Sequence, residues 1–168
     1  LCCGGSAAPF AADPTHLARV QSFVNRTTAD SRVNVSQIGN QNSISVSQEG
    51  TRNNYLNYQG NGTSNQIEVT QIGTPATVAN YVDLTVTGNQ NYVGITQNST
   101  GGGKGVFATV QDNSNRLTVT QTDSGSHYAA VNLSGGNKQV DINQSGSASH
   151  MANVSLSGQP TNLNLTQQ

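Results

Sequence analysis

A short pattern, apolar–x–apolar–x–Gln, returns six times along the chain, and this repeat constrains the fold more than any other feature. Its glutamines lie 23, 26, 24, 23 and 23 residues apart. The six copies are Ile44–Gln48, Ile67–Gln71, Val93–Gln97, Leu117–Gln121, Val140–Gln144 and Leu163–Gln167. A unit that recurs at a steady period of this length predicts a solenoid, in which each repeat stacks on the one before it.

A second series of similar form lies between these copies. It comprises Val33–Gln37, Tyr55–Gln59, Leu84–Gly88, Phe107–Gln111, Val131–Gly135 and Val154–Gly158. Alternating apolar and polar residues, with many β-branched side chains, predict strands, and the Gly- and Asn-rich segments between them are typical of turns. We therefore predict an all-β fold over residues 31–168: a β-solenoid of six strand–turn–strand repeats of about 23 residues each, with cross-β stacking.

The repeated glutamine has the same parity as the two apolar residues, so it should point into the interior. A buried amide is costly unless it is hydrogen-bonded, and glutamines stacked about 4.8 Å apart can bond one another in a ladder. Asparagines recur in the same way at the strand entrances. The predicted ladder residues are Gln37, Gln48, Gln59, Gln71, Gln97, Gln111, Gln121, Gln144, Gln167, Asn42, Asn65, Asn91 and Asn115.

The composition excludes several classes of function. Only 9% of the residues are charged, against roughly 25% in typical soluble proteins, while Asn, Gln, Ser and Thr supply 73 of the 168 residues. The net charge is −1 and no basic stripe exists to bind phosphates, so we expect no nucleic-acid partner. No apolar run approaches the roughly 18 residues that span a bilayer, so we expect no membrane insertion.

Candidate catalytic and metal-binding residues are scattered. The three histidines occur in unrelated contexts, and the eight carboxylates are scattered along the chain. There is no Gly-x-Ser-x-Gly elbow and no Cys/His cluster with metal-ligand spacing. Asp112, Asp123 and Asp141 are candidates for weak cation sites, but solvated loops explain them better. We predict a protein that is not an enzyme and has neither a cofactor nor a metal site.

The first repeat resembles a known family. The stretch Gln37-x-Gly39-x-x-Asn42-x-Ile44-x-Val46-x-Gln48 is similar to the curlin repeat, and the resemblance extends over about residues 31–168. It implies a structural subunit of an extracellular curli-type amyloid fibre, secreted at the bacterial cell surface for adhesion and biofilm matrix. The implied partners are further copies of the chain, an export channel, and a nucleator or major subunit.

The chain departs from the curlin pattern at several places. Glycine replaces glutamine at Gly88, Gly135 and Gly158, and the third repeat carries an insertion from Thr74 to Tyr81. These departures leave open whether the chain corresponds to the major subunit or to the nucleator.

Residues 1–30 lie outside the repeat and hold both cysteines, Cys2 and Cys3. Apolar residues at Leu17, Val20 and Val24 are consistent with a short amphipathic helix. We interpret the segment as a signal remnant, a targeting element or a cap on the first repeat.

Two other functions are compatible with a polar β-solenoid. An ice-binding protein requires a regular outward array of Thr-x-Thr pairs, which Thr85–Thr87 and Thr118–Thr120 fit while most other repeats do not. A polysaccharide-binding protein requires aligned aromatic or acidic residues, and the sequence predicts no alignment of the five tyrosines.

Overall fold

The computed structural model describes residues 31–50, 54–73 and 79–168, so the interpretation of residues 1–30 lies outside the described part of the chain. Twelve strands follow one another in the described residues. They are β1 (Ser31–Ile38), β2 (Ser43–Gly50), β3 (Asn54–Asn61), β4 (Gln66–Gly73), β5 (Asn80–Thr87), β6 (Tyr92–Ser99), β7 (Lys104–Val110), β8 (Arg116–Gln121), β9 (His127–Leu133), β10 (Gln139–Gln144), β11 (His150–Leu156) and β12 (Asn162–Gln167).

The strands form two parallel six-stranded sheets that face each other. The odd-numbered strands make one sheet in the order β1-β3-β5-β7-β9-β11, and the even-numbered strands make the other in the order β2-β4-β6-β8-β10-β12. Each consecutive pair of strands, β1 with β2 through β11 with β12, is one rung of the coil. The predicted fold class is thus confirmed: the described chain is an all-β solenoid of six rungs about 23 residues apart.

Strand pairing keeps equivalent residues stacked from rung to rung. In the even sheet, Ile44 pairs with Ile67 and Val46 with Val69, and the same register continues to the last rung. The apolar side chains therefore form continuous columns in the interior. From rung 2 to rung 5 these columns are buried, and they make the core of the described chain.

In the odd sheet the predicted inward parity is wrong for two strands. The predicted inward residues of β3 included Tyr55 and Gln59, but Leu56 and Tyr58 face the core instead. Their pairing with Val82 and Leu84 of β5 fixes this register.

The same shift occurs in β7. Val106, Ala108 and Val110 face the core, so Phe107 and Gln111 do not. Apolar residues occur at both parities of β3 and β7, so alternation within either strand is ambiguous. The parity is decided by stacking between rungs. The residues that face the core are those that pair with the buried residues of β5.

One inward glycine makes room for the largest core side chain. Tyr58 is fully buried, and its hydroxyl donates a hydrogen bond to Oε1 of Gln37. A Cβ atom on Gly60 would lie 2.1 Å from that hydroxyl. Burial raises the pKa of Tyr58 to about 12, so the phenol stays protonated and remains a donor.

Several turn glycines have positive φ, and at some of them the adjacent rung also leaves no room for a side chain. Gly88 has φ +116°, and a Cβ atom there would lie 2.0 Å from the carbonyl oxygen of Asp112 on the next rung. Gly158 also has positive φ, +78°, but nothing lies within 4 Å of its Cβ position. We expect Gly88→Ala to lower the free energy of unfolding by more than about 2 kcal/mol, and Gly158→Ala by the strain alone, about 1 kcal/mol. Denaturant unfolding of the two variants checks this, and equal losses would show that rung-to-rung contact is unimportant at Gly88.

Candidate functional site: the interior columns and the two open ends

A column of six glutamines runs through the interior, one from each even-numbered strand. In each of the first five, Nε2 donates to Oε1 of the glutamine on the following rung. The distances are 2.8 Å for Gln48–Gln71, 2.9 Å for Gln71–Gln97, 3.0 Å for Gln97–Gln121, 2.8 Å for Gln121–Gln144 and 2.8 Å for Gln144–Gln167. The structure thus brings these six predicted residues together in one uninterrupted ladder.

Each ladder glutamine also reaches across to the facing sheet. The second N–H of each Nε2 donates to a main-chain carbonyl of the odd strand, at 3.0–3.3 Å. The acceptors are Arg32, Tyr55, Tyr81, Gly105, Tyr128 and Met151. This second bond fixes which amide atom is nitrogen, because a carbonyl accepts and cannot donate. All six amides therefore point the same way, with nitrogen toward the last rung.

The four predicted asparagines form a second column, at the entrance to the even strands. Their side-chain Oδ1 atoms accept hydrogen bonds from the main-chain N–H of the next residue in the column, at 2.9–3.0 Å. Their Nδ2 atoms donate to turn carbonyls. The column comprises Asn42, Asn65, Asn91 and Asn115, and Lys138 continues it on rung 5.

Three of the predicted ladder residues lie outside both columns. Gln59 and Gln111 are exposed, because the parity of β3 and the end of β7 turn them away from the core. Gln37 has inward parity, but Gly60 and not a glutamine follows it in the column. Its amide donates to the carbonyl of Ile38 and accepts from Tyr58, so no ladder continues from it.

Two buried lysines were missed by sequence reasoning. Lys138 is 1% exposed, and its Nζ donates to the carbonyls of Gly158 and Gln159, both at 2.8 Å. Lys104, on the opposite edge, is fully buried. The position of Lys138 could have been predicted from spacing, because it follows Asn115 by the repeat length of 23 residues.

The first and last rungs leave strand edges without a partner in the described chain. β1 and β2 end the two sheets at one side, and β11 and β12 end them at the other. On rung 1 the inward-parity residues Val33 and Val35 are 45% and 43% exposed. Unpaired parallel edges with exposed apolar residues favour pairing with another chain.

The columns on the outer face of the even sheet are irregular. One column reads Ser47, Thr70, Thr96, Thr120, Asn143 and Thr166, and the column beside it reads Ser45, Glu68, Gly94, Thr118, Asp141 and Asn164. Of the six rungs, rung 4 alone has threonine at both positions.

The prediction that the tyrosines do not align is wrong for three of them. Tyr55, Tyr81 and Tyr128 share one column on the outer face of the odd sheet, with Gly105 between the last two. The rings of Tyr55 and Tyr81 stack 5.2 Å apart, so each covers a face of the other. Burial raises the pKa of Tyr81 to about 12.

No cluster of three or more metal-ligating side chains occurs within residues 31–50, 54–73 and 79–168. Asp112 and Asp123 instead accept hydrogen bonds from the main-chain N–H of Gly135 and Gly146, at 2.9 and 3.0 Å. The same described segments contain no helix that is long and apolar enough to cross a membrane.

Comparisons with protein-family models, with curated proteins and with solved structures found no match to this chain.

Proposed function

We propose that this chain is a structural subunit of an extracellular curli-type amyloid fibre, which grows as solenoids stack end to end. The observation that carries the proposal is the complementarity of the two ends. At rung 1, Oε1 of Gln48 accepts no hydrogen bond from the described residues, whereas at rung 6 one N–H of Gln167 has no described acceptor. A second copy placed head to tail supplies each missing partner.

The remaining columns also match across such a joint. Continuing the register by one more rung places Leu163 against Ile44 and Leu165 against Val46 of the next copy. Val154 would meet Val35 in the odd sheet. All strands stay parallel, so the ladder, the apolar columns and the main-chain hydrogen bonds continue through the joint. A joint that repeats on every copy and does not close on itself produces an open filament.

The resemblance to the curlin repeat extends the proposal to the biological setting. The subunit would be secreted and would assemble at the bacterial surface, serving adhesion and biofilm matrix. Its partners would be copies of itself, an export channel, and a nucleator or major subunit. Residues 1–30 would address the chain to that channel. The segment lies outside the repeat, and the resemblance implies that the channel recognises the chain before it folds.

Assembly of the purified chain tests the core of the proposal. We expect a lag phase followed by growth of fibres that bind thioflavin T and diffract at about 4.8 Å along the fibre axis. Negative-stain images should show unbranched fibres. A chain that remains monomeric for days at tens of micromolar would contradict the fibre function and leave an ice-binding or polysaccharide-binding solenoid to be tested.

A further inference from the structure

A column of basic side chains lies at the start of the odd strands of rungs 4 to 6. Lys104, His127 and His150 stack in register, following Asn54 and Asn80 of the earlier rungs. Lys104 and His127 are fully buried. The column thus changes from neutral amides to three groups that can each carry a positive charge.

The lysine at the base of this column has partners, but they are neutral. Its Nζ donates to the carbonyls of Gly102 at 3.1 Å, Asp123 at 2.8 Å and Gly125 at 2.5 Å. Desolvation lowers the pKa of Lys104 to about 8, although the Asp123 carboxylate opposes this shift. The ammonium is therefore still protonated in neutral and acidic solution.

The two imidazoles above it have no such partners. His127 and His150 stack with ring centroids 5.1 Å apart and planes inclined by 11°. Both ring nitrogens of His127, and Nε2 of His150, are buried and make no hydrogen bond in the described structure. A buried imidazole without a partner is tolerated when neutral, but a charged one is costly.

The charged and titratable groups around His127 do little to stabilise its protonated form. Lys104 of β7 and His150 of β11 are basic, and Asp123 is the acidic side chain of the preceding turn. The facing even strands contribute the neutral ladder amides Gln121 and Gln144, which donate to the carbonyls of Gly105 and Tyr128. Burial and the charge of Lys104 lower the pKa of His127 to about 4. They outweigh the main-chain carbonyls of Thr122 and Gly146, which favour the charged form but lie outside hydrogen-bonding geometry.

We propose that the buried imidazole of His127, stacked against His150 and above the buried ammonium of Lys104, forms a pH-sensitive lock on the last rungs of the solenoid. A neutral His127 keeps β9 to β12 closed, and its protonation in mildly acidic solution favours their opening. The inference concerns the single chain and does not rest on fibre formation. If the chain also forms fibres, acid would weaken rung 6, where the next copy docks.

The direction in which stability changes with pH follows from proton linkage. The unfolded state binds a proton at His127 below the ordinary pKa of 6.5, whereas the folded state does so only near pH 4. The contribution of His127 to the free energy of unfolding is therefore fully present above pH 6.5 and is lost as the pH falls toward 4. When the pH falls from 7 to 5, His127 alone raises the equilibrium constant for opening of β9 to β12 roughly 20-fold.

Hydrogen–deuterium exchange of the freshly prepared, monomeric full chain tests the lock. After correction for intrinsic exchange, we expect opening of β9 to β12 to increase about 20-fold from pH 7 to pH 5, while β3 to β6 change little. The matched control is the double variant His127→Asn/His150→Asn, which restores the asparagine of the earlier rungs. Its last rungs should change less than about twofold. The same pH dependence in both chains would overturn the proposal.

A second measurement covers the case in which the double variant does not fold. The histidine C–H resonances of the unmodified chain report protonation directly. His127 should stay neutral at pH 6 while the chain remains folded. Protonation of His127 at or above pH 6 without loss of structure in β9 to β12 would equally overturn the lock.

Discussion

Leu165→Lys is expected to stop fibre growth while the single chain stays folded. Leu165 lies half-buried on the last rung, in the column that begins with Val46. On a free end, the lysine ammonium reaches water beyond the rung. In a stack it would be enclosed against Val46 of the next copy, at a cost of several kcal/mol. We expect the elongation rate, measured by thioflavin T with preformed seeds, to fall more than about 100-fold.

The neighbouring residue provides a matched control. Thr166→Lys adds the same charge to the same strand, but Thr166 points outward and is exposed, so elongation should change less than about threefold. Circular dichroism of both variants should match that of the unmodified chain. Equal inhibition by both substitutions would show that overall charge, and not the joint, controls growth.

A substitution at rung 1, the end opposite to Leu165, distinguishes head-to-tail stacking from other modes of stacking. Val35→Lys places a charge in the interior of rung 1, where the residue is 43% exposed. Each single-end variant should remain monomeric. An equimolar mixture of the two variants should form dimers and nothing larger in sedimentation velocity, because one free rung 1 and one free rung 6 remain. Dimers of either variant alone would indicate pairing of like ends and would contradict the proposed polarity.

The second large effect is expected in the middle of the glutamine ladder. Gln97→Leu retains approximate volume but removes the partners of Gln71, of Gln121 and of the Tyr81 carbonyl. Each buried group that is left unsatisfied costs about 1–3 kcal/mol, so the free energy of unfolding should fall by at least about 3 kcal/mol. Denaturant unfolding of freshly prepared soluble chain measures the loss.

Thr96→Ala, in the same strand, tests the assignment of faces. Thr96 is exposed and points away from the core, so its loss should change the free energy of unfolding by less than about 0.5 kcal/mol. Gln144→Leu should resemble Gln97→Leu, because Gln144 also has partners on both neighbouring rungs. Similar losses at positions 96 and 97 would mean that the inward ladder does not dominate stability.

The even sheet follows from the sequence because, within the repeated apolar–x–apolar–x–Gln segment, the apolar residues occur at one parity. In each even strand two apolar residues and a glutamine alternate with polar residues, so face, register and ladder are all determined by the pattern. The odd sheet is less clear. β3 contains Tyr55 and Leu56 side by side, and β7 contains Val106 and Phe107 side by side. Local alternation permits two parities there, and only stacking between rungs selects one.

The buried basic residues could not be inferred from residue type, because lysine is rarely buried without a partner. Lys104 and Lys138 are buried since turn carbonyls of the adjacent rungs receive their ammonium groups. The tyrosine column, in contrast, was available from spacing. Tyr55, Tyr81, Gly105 and Tyr128 follow one another at the same intervals as the ladder glutamines of rungs 2 to 5.

The common direction of the six ladder amides gives the solenoid a cooperative interior. Their dipoles add along the axis, so each hydrogen bond polarises the next and strengthens it. A terminal amide has a neighbour on one side only and is polarised least. A short stack is therefore held together less firmly per joint than a long one. This length dependence gives a physical reason to expect a slow nucleus followed by rapid growth once several copies share one continuous chain of amides.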